Sequence, residues 1–506
     1  MSFMFKPLAY DEPNAVNHIK LDDDIKKSFV NGNEDVIDTL LKVCTKEESY
    51  RLCLDGYVSA QFEFIMAAIR TWCYGHSISL HEIDMRDIYK TQAEIDELTK
   101  DNLPLNYEED PVLLFGKLYK GNIKDFMDLE KLNEKIKILD EKLKGLTIVF
   151  GMGSSIAELR HHADGVAYVD ITPKVAAIRA REQKFVNIGD EMARPFNLLM
   201  RRNYFVDFEV TLRLRKELLG EDAITFYILG SDENNLHMLN TKSLNGLLDT
   251  LVQYPFRAKP VYLEGIWGGE YIRKIRNIPK DISTNVAWIF EFIPMEVSIE
   301  IDIDGSVADI PFYTFVQKKG KEIMGERAYE EFEGYFPIRF NYDDTWHSDG
   351  NMSIQVHPDE DFIIDHYDEF GRQDEAYYVI ATGHGAKTYA GWKGDGKEFL
   401  ELSKQSEKDH TDINYQEYVN SVPSVPGRQI MIPAGTIHAS GQNQLILELG
   451  SLTIGSYTYK VYDYNRKDAN GKSRELHTEL AKDAIDYKMY DDLKTVYTSE
   501  SDKTVG

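Results

Sequence analysis

Four residues in the second half of the sequence have the types and spacing of a metal site. Gln355 and His357 lie two residues apart in an apolar β-type run, and Glu375 opens the next such run. Alternate residues of a strand point to the same face, so Gln355 and His357 can converge on one ion. His438 ends the segment Ile432-Pro-Ala-Gly-Thr-Ile-His438. Two imidazoles, a carboxylate and an amide oxygen suit Zn²⁺ and leave room for water or substrate, which is typical of a catalytic site.

Each of these residues also has an ordinary interpretation when it is taken alone. A single histidine on a strand is most often a surface or partly buried residue, Gln355 a surface polar residue and Glu375 a hairpin charge. The joint occurrence and order of the motifs favours one shared metal ion instead. The sequence does not separate zinc from other divalent ions that prefer similar ligands.

The elements that must position these residues are β-strands. After Pro260 alternating apolar runs dominate, for example at 297–303, 352–357 and 444–449, and Gly, Asn or Asp turns separate many of them. The helical segments in this part are short. This pattern predicts that residues 256–506 form an all-β jelly roll or barrel with short helical insertions.

The first half of the chain has a different pattern. Short apolar runs at 146–150 and 166–170 are followed by a helical segment at 173–183, and 76–80 is a further candidate strand. Short buried strands that alternate with helices predict an α/β doubly wound domain. We assign this domain to residues 1–255.

Composition and charge exclude several classes of function. Lys+Arg 58 against Asp+Glu 85 gives a formal net charge of −27, which repels nucleic acid and anionic lipid surfaces. The three cysteines form no disulfide framework, the start of the chain has no signal-peptide pattern, and no apolar run approaches the ~20 residues of a membrane span. We therefore expect a cytoplasmic protein without nucleic-acid or membrane partners.

The metal motifs resemble those of the class I mannose-6-phosphate isomerases, a cupin family. That family carries a Q-x-H-P element, a downstream glutamate before an aromatic strand, and an I-P-A-G-T-x-H element. Its zinc ligands fall here on Gln355, His357, Glu375 and His438. The resemblance covers about half of the chain and implies a cupin jelly roll with one Zn²⁺ per chain. It also implies interconversion of mannose-6-phosphate and fructose-6-phosphate through a cis-enediol.

The sequence departs from this family at positions associated with turnover. The family commonly has S-D-x-x-[YL]-R after the last metal motif, whereas Gly455-Ser-Tyr-Thr-Tyr-Lys460 places Ser456 at the aspartate and Lys460 at the arginine. Gln373 stands where the family has the lysine of its G-K-x-E element. Lys460 keeps a positive charge without the planar fork of arginine. We predict that Lys460 assists the negative charge of the enediolate, and the general base stays unassigned.

The resemblance also indicates where a substrate would bind and which functions compete. Arg466, Lys467 and Arg474 are candidates for holding the phosphate of a sugar-phosphate substrate, and a solvated turn residue is the alternative for each. The four retained ligands favour an active isomerase. The absent arginine and aspartate favour a catalytically silent or divergent metal-containing cupin that binds sugar or regulates. Neither the sugar nor the oligomeric state can be predicted.

The N-terminal half resembles a degenerate relative of nucleoside-kinase-like α/β folds. Leu54-Asp-Gly-Tyr-Val-Ser-Ala-Gln-Phe62 lies where small P-loop kinases carry their phosphate loop, but no G-x-x-x-x-G-K-[ST] is present. The turn Gly151-Met-Gly-Ser-Ser155 is compatible with an anion at a helix N-terminus. A tight turn between strand and helix is its alternative interpretation.

Overall fold

The computed structural model of this protein describes residues 6–348, 350–451, 457–467, 471, 473–489 and 498–499. Within these residues a seven-stranded sheet lies in the N-terminal half, and two further sheets and a hairpin lie in the C-terminal half. The largest cluster of buried apolar side chains includes residues of both halves, for example Leu54 and Tyr457. The two halves therefore share a continuous core.

The N-terminal sheet is built mainly from parallel strands. Its strands are β1 Val30–Asn31, β2 Ser49–Gly56, β3 Leu80–Asp84, β4 Gly145–Phe150, β5 Gly165–Asp170, β6 Phe226–Leu229 and β7 His237–Asn240. They are ordered β1-β7-β6-β5-β2-β4-β3. Strands β2 to β6 pair in parallel, and β7 and β1 add an antiparallel edge. Every residue of β5 is buried, as expected for a strand that is covered on both faces.

Helices connect these parallel strands, as parallel pairing requires. The described helices of this half are α1 Asp23–Ser28, α2 Asn33–Cys44, α3 Phe62–Gly75, α4 Gln92–Thr99, α5 Leu129–Asp140, α6 Ala157–Arg160, α7 Pro173–Arg181, α8 Phe196–Arg202, α9 Phe208–Gly220 and α10 Thr241–Leu251. A π-helical segment, Asn203–Asp207, joins α8 to α9.

One predicted strand begins later than the sequence indicated. We expected a strand at 76–80, but β3 starts at Leu80. His76 instead ends α3, and its ring stacks on Trp72 at 3.8 Å between ring centres. Ser77 then adopts a positive φ of 56°, which turns the chain away from the helix. The local aromatic contact and the turn therefore delay the strand.

The C-terminal half is predominantly β structure, which fits a cupin-like β domain. Its described strands are β8 Val261–Leu263, β9 Trp288–Phe292, β10 Ser298–Ile303, β11 Ser306–Pro311, β12 Ile338–Asp344, β13 Ile354–Val356, β14 Glu375–Thr382, β15 Lys387–Trp392, β16 Val419–Pro423, β17 Gln429–Ile432, β18 His438–Ser440, β19 Gln444–Ser451, β20 Tyr459–Tyr462 and β21 Thr498–Ser499. One sheet is ordered β21-β17-β14-β19-β12-β9-β8 and the other β16-β15-β18-β13-β20, while β10 and β11 form a separate hairpin.

Helices in this half are insertions between the strands. The described ones are α11 Tyr271–Ile275, α12 Phe312–Met324, α13 Glu326–Glu331, α14 Glu360–Tyr367, α15 Gly396–Asp409 and α16 Thr478–Ala484. Helix α14 directly follows β13 and ends shortly before β14. It therefore separates two of the predicted metal ligands, Gln355 and Glu375, along the chain.

Segments of each half contact the other half. Leu8 donates its backbone N–H to the Tyr262 carbonyl at 2.8 Å, so the chain start pairs with the C-terminal half. In the other direction, α12 packs on α9, and Thr314 donates its hydroxyl to Asp170 at the end of β5. Arg215 of α9 pairs with the same carboxylate at 2.8 Å. The domain boundary at residue 255 stays a prediction.

Candidate metal centre

Neighbouring strands carry the predicted ligands to one place. In the smaller sheet, Gln355 of β13 pairs in register with His438 of β18 on one side and Lys460 of β20 on the other. Glu375 opens β14 in the larger sheet, where it pairs with Ile432. The turn before His438 packs against the segment that carries Gln355 and His357, because Gly435 donates its N–H to the His357 carbonyl at 2.7 Å. The two sheets thus bring all four side chains together.

The side chains of this candidate metal cluster (Gln355, His357, Glu375 and His438) are buried and close. His357 Nε2 lies 3.0 Å from Glu375 Oε1, and His438 Nε2 lies 3.3 Å from Glu375 Oε2. Gln355 Nε2 lies 3.4 Å from His438 Nε2. Ligand atoms of the two histidines and the glutamate all lie within 4.8 Å of one another. This spacing is compatible with one shared ion.

Backbone carbonyls fix the orientation of both imidazole rings. His357 Nδ1 lies 3.0 Å from the Tyr457 carbonyl, and His438 Nδ1 lies 2.8 Å from the Thr436 carbonyl. His357 Nδ1 also lies 3.3 Å from the Thr458 hydroxyl. With Nδ1–H donated to the carbonyl, the Nε2 lone pair of each ring is directed at Glu375. In metal sites, histidine ligands are oriented by a hydrogen bond from the ring nitrogen that does not bind the metal. The donor set therefore fits a divalent cation.

A buried arginine and an amide surround the shared carboxylate. Arg339 Nη2 donates to Glu375 Oε1 at 3.0 Å and to Glu448 Oε1 at 3.3 Å. Gln373 Nε2 donates to the same Glu375 oxygen at 2.7 Å and lies 3.2 Å from His357 Nε2. Burial alone would raise the pKa of Glu375, but the attraction of His357 and His438 outweighs it and holds the pKa well below its usual range.

The cavity beside the cluster is small. Its volume is about 30 Å³, and its lining includes three residues of the cluster (Gln355, His357 and Glu375) together with Trp288, Arg339, Gln373 and Glu448. This volume holds roughly one or two water molecules. Small-molecule pockets usually measure about 300–1,000 Å³. A sugar phosphate would therefore need the lining side chains, such as Gln373, to move.

Lys460 is buried, but its side chain does not line this cavity among the described residues. Burial, followed by repulsion from Arg474, lowers the pKa of its ammonium to about 8. The strand register brings its backbone beside Gln355. Its catalytic role stays a prediction, and Ser456, the other departure in this segment, lies outside the described residues.

The predicted phosphate-binding residues lie in a separate ion-pair group. Arg474 Nη2 and Arg466 Nη2 both contact Asp463 Oδ1, the former at 2.6 Å. Arg466 also donates to the Asn351 carbonyl at 2.6 Å. Lys467 is exposed and pairs with Ser473 in an isolated bridge. Arg466 and Arg474 thus hold a turn together, and phosphate binding by the three residues stays a prediction.

The glycine turn of the N-terminal half surrounds a protein carboxylate. Asp55, at the end of β2, accepts the N–H of Gly153 at 3.0 Å and both the N–H and the hydroxyl of Ser155 at 2.8 and 2.5 Å. Gly153 has a φ of 82°, and a Cβ there would lie 2.7 Å from Met127. These donors are therefore already used, and the following helix α6 is only four residues long. The arrangement gives no support to phosphate binding at this turn.

Comparisons with known proteins divide the chain into two parts. Residues 32–253 match a family described as a domain of unknown function, DUF8485. Mannose-6-phosphate isomerase of Streptococcus mutans is 29% identical over 238 residues, which cover 45% of this chain and 68% of that protein. ManA, a mannose-6-phosphate isomerase of Bacillus subtilis, is 29% identical over 244 residues, covering 48% and 71%.

About half of this chain is similar to mannose-6-phosphate isomerases. A crystal structure of the Bacillus subtilis mannose 6-phosphate isomerase matches with 26% identity and a TM-score of 0.35, covering 46% of this chain and 68% of that one. The sequence similarity supports an isomerase-like region over about half of the chain. It does not extend to a P-loop-kinase-like N-terminal half. No helix in the described part of the chain is long and apolar enough to cross a membrane.

Three residues at the cluster were not singled out from the sequence. Arg339 lies in a segment that resembles the family's strand before the metal motif, and Glu448 lies in a predicted strand of alternating apolar residues. Neither residue was predicted to contact the cluster. Gln373 was noted as a departure, but its contacts with His357 and Glu375 were not predicted. Alternation along β19 and the apolar residues around Arg339 were the signals that could have marked them as buried polar residues.

Proposed function

We propose that the protein is a metal-dependent aldose–ketose isomerase of a sugar phosphate, with mannose-6-phosphate and fructose-6-phosphate as the substrate pair. The convergence of Gln355, His357, Glu375 and His438 on one buried point carries this proposal. The similarity to mannose-6-phosphate isomerases over about half of the chain supports it. We propose Zn²⁺ as the ion, one per chain, because two imidazoles with carboxylate and amide oxygens suit it.

The reaction moves a proton from C2 of the aldose to C1 of the ketose through a cis-enediol. A divalent cation held by the cluster would supply Lewis-acid stabilisation of the oxyanion that forms when the proton leaves. Arg339 is the nearest fixed positive charge of the protein itself, since it donates to Glu375 and Glu448. Its guanidinium would favour negative charge that develops in the cavity.

A general base must also face the reacting carbon. Of the described residues that line the cavity, Glu375 and Glu448 carry carboxylates, and Glu375 belongs to the cluster. We therefore assign proton transfer between C2 and C1 to Glu448. Burial, followed by repulsion from Glu375 and Asp343, raises the pKa of Glu448 well above its usual range. A carboxyl group with a raised pKa both takes up and returns a proton near neutral pH.

Isomerisation in D₂O followed by NMR tests this assignment. Proton transfer through Glu448 predicts deuterium at C1 of the fructose-6-phosphate, because the group exchanges its proton with solvent. Glu448→Gln should lower turnover by at least about 100-fold while zinc content stays unchanged. Turnover by Glu448→Gln at the parent rate would rule out this role.

The alternative is a metal-containing sugar-binding or regulatory protein without turnover. The small size of the cavity, about 30 Å³, favours it, as does the absence of Lys460 from the described residues that line the cavity. Binding of mannose-6-phosphate by the zinc-loaded protein, with neither isomerisation nor deuterium incorporation, would establish this alternative.

The proposal also covers the fold of the N-terminal half. We propose that it is a doubly wound α/β domain, a degenerate nucleoside-kinase-like fold that no longer binds phosphate. Five parallel strands support the fold, and Asp55 in the glycine turn supports the loss. We further propose that the whole protein acts in the cytoplasm.

A further inference from the structure

A second cavity of about 600 Å³ lies between the two halves of the chain. Helix α9 and residues near Lys120 form one wall, α12 and α13 form another, and residues that follow α14 form the third. The volume lies in the range of about 300–1,000 Å³ that is usual for small-molecule sites. Among the described residues, the two cavities share no lining residue.

Three cations and four carboxylates line this interdomain cavity: Lys120, Arg213 and Lys216, and Glu209, Glu333, Asp368 and Glu369. Three of the carboxylates have partners, since Glu209 pairs with Arg213, Asp368 pairs with Lys120, and Glu369 accepts the Tyr457 hydroxyl. Lys216 Nζ lies 5.6 Å from the centre of the Tyr329 ring, and no described carboxylate lies within ion-pair distance of it. Arg213 has a side chain that is 31% exposed, and it contacts Glu209 at 3.1 Å. Lys120 is paired with exposed Asp368 at 2.7 Å. Lys216 is therefore the cation whose charge is available to an anionic ligand.

Aromatic rings and hydrogen-bonding groups form the rest of the lining. The ring centres of Tyr313 and Phe370 each lie 6.0 Å from that of Tyr335. The Tyr335 hydroxyl donates to Glu209 Oε2 at 3.1 Å. Ring faces pack well against apolar C–H surfaces, while the phenol groups offer polar contacts at their edges. This combination suits a ring that carries several hydroxyl groups.

We propose that the interdomain cavity binds a phosphorylated monosaccharide, at a site separate from the metal cluster. Lys216, with Arg213 beside it, would bind the phosphate, and Tyr335 and Phe370 would contact the sugar ring. A bare anion would contact Lys216 but not the aromatic faces. A neutral sugar would not use the Lys216 charge.

The site also has a direct structural connection to the candidate metal cluster. Glu369 of the cavity lining accepts a hydrogen bond from the Tyr457 hydroxyl at 2.8 Å. The carbonyl of the same Tyr457 orients His357 Nδ1 at 3.0 Å. The proposal goes beyond the proposed isomerase function and does not depend on turnover.

Calorimetric titration of the full-length protein after removal of metal by a chelator tests the proposal. The probes are mannose-6-phosphate, mannose and inorganic phosphate, so that binding at the metal cluster does not contribute. We expect saturable binding of one mannose-6-phosphate per chain and weaker binding of the other two probes. Lys216→Ala should weaken this binding about tenfold, and Lys137→Ala, an exposed lysine of α5 outside the cavity, should leave it unchanged.

Three outcomes would overturn the proposal. The first is an absence of saturable mannose-6-phosphate binding. The second is the same mannose-6-phosphate affinity in the Lys216→Ala and Lys137→Ala variants. The third is equal affinity of the parent protein for inorganic phosphate and mannose-6-phosphate. Melting temperatures of both variants are measured in parallel. Because Lys216 is exposed, we expect both to melt with the parent protein. Loss of turnover in the isomerase assay would leave this result unaffected.

Discussion

His357 Nε2 lies 3.0 Å from Glu375 Oε1, and with Nδ1–H directed at the Tyr457 carbonyl these two atoms are both acceptors. His438 Nε2 faces the other carboxylate oxygen at 3.3 Å in the same manner. Two lone pairs at such a distance repel, and the Gln373 amide, which contacts both acceptors, relieves part of this repulsion between His357 and Glu375. A divalent cation satisfies both contacts at once, which is why the cluster fits a metal.

Removal of one histidine should abolish metal binding. We expect purified protein to hold about one Zn²⁺ per chain, as the four-ligand set predicts, and His438→Ala to hold almost none after dialysis. Metal analysis by mass spectrometry measures this content. His384→Ala removes an exposed histidine between β14 and β15 and should keep the parent content. Equal zinc in the His438→Ala and His384→Ala variants would contradict the cluster as the site.

Arg339 should be essential for stability because it neutralises two buried acids. Arg339→Met leaves Glu375 and Glu448 without their shared donor and should lower the free energy of unfolding by about 3–5 kcal/mol. Denaturant titration of the metal-free protein measures this loss. The double variant Arg339→Met with Glu448→Gln should recover part of it, because the second carboxyl group that shared the Arg339 donor is gone. A double variant as unstable as the sum of the two single variants would show that the charges do not interact.

Lys460 should make stability rise with pH above about 8. Its pKa is lowered from 10.5 to about 8 by burial, so between these values the unfolded chain binds a proton that the folded chain has released. Stability therefore increases with pH in this window. Below it the buried charge costs up to about 3 kcal/mol.

Replacement by a neutral side chain should remove this dependence. Lys460→Met should be more stable than the parent at pH 7, and the difference should shrink as the pH rises from 8 to 10. Urea titrations at each pH measure the difference between the two proteins, in which other titrating groups largely cancel. A difference that is constant over this range would contradict the lowered pKa.

Asp55 should hold the glycine turn of the N-terminal half. Asp55→Ala leaves the N–H groups of Gly153 and Ser155 without an acceptor and should cost about 2–3 kcal/mol of stability. Ser155→Ala removes only the hydroxyl contact and should cost about 1 kcal/mol. Thermal or denaturant unfolding measures both. Equal and negligible losses would contradict the hydrogen-bonded turn.

Motifs that are local in sequence predicted much of the C-terminal site. Gln355 and His357 share a strand region, and the Pro-Ala-Gly turn is contiguous with His438, so the motifs and the family resemblance were enough to predict that these side chains lie together. Glu375 followed from its place at the start of an apolar strand. Contacts between distant segments were beyond such reasoning.

The side-chain partners show where this limit lies. Asp55 and Ser155 are 100 residues apart, and neither motif indicates that a carboxylate fills the turn. Lys460 was expected to assist the enediolate because it stands at the position of the family's arginine, but a match of sequence positions does not determine where a long side chain points. The backbone hydrogen bond from Leu8 to Tyr262 also depends on tertiary packing that no local pattern encodes.

Turnover of mannose-6-phosphate by protein of known zinc content tests the central claim most directly. Fructose-6-phosphate is detected by a coupled assay before chelation, after chelation and after zinc is returned. We predict conversion by protein with about one Zn²⁺ per chain, loss of conversion on chelation and recovery with zinc. Protein that purifies without metal and gains neither zinc nor activity on addition would contradict the account.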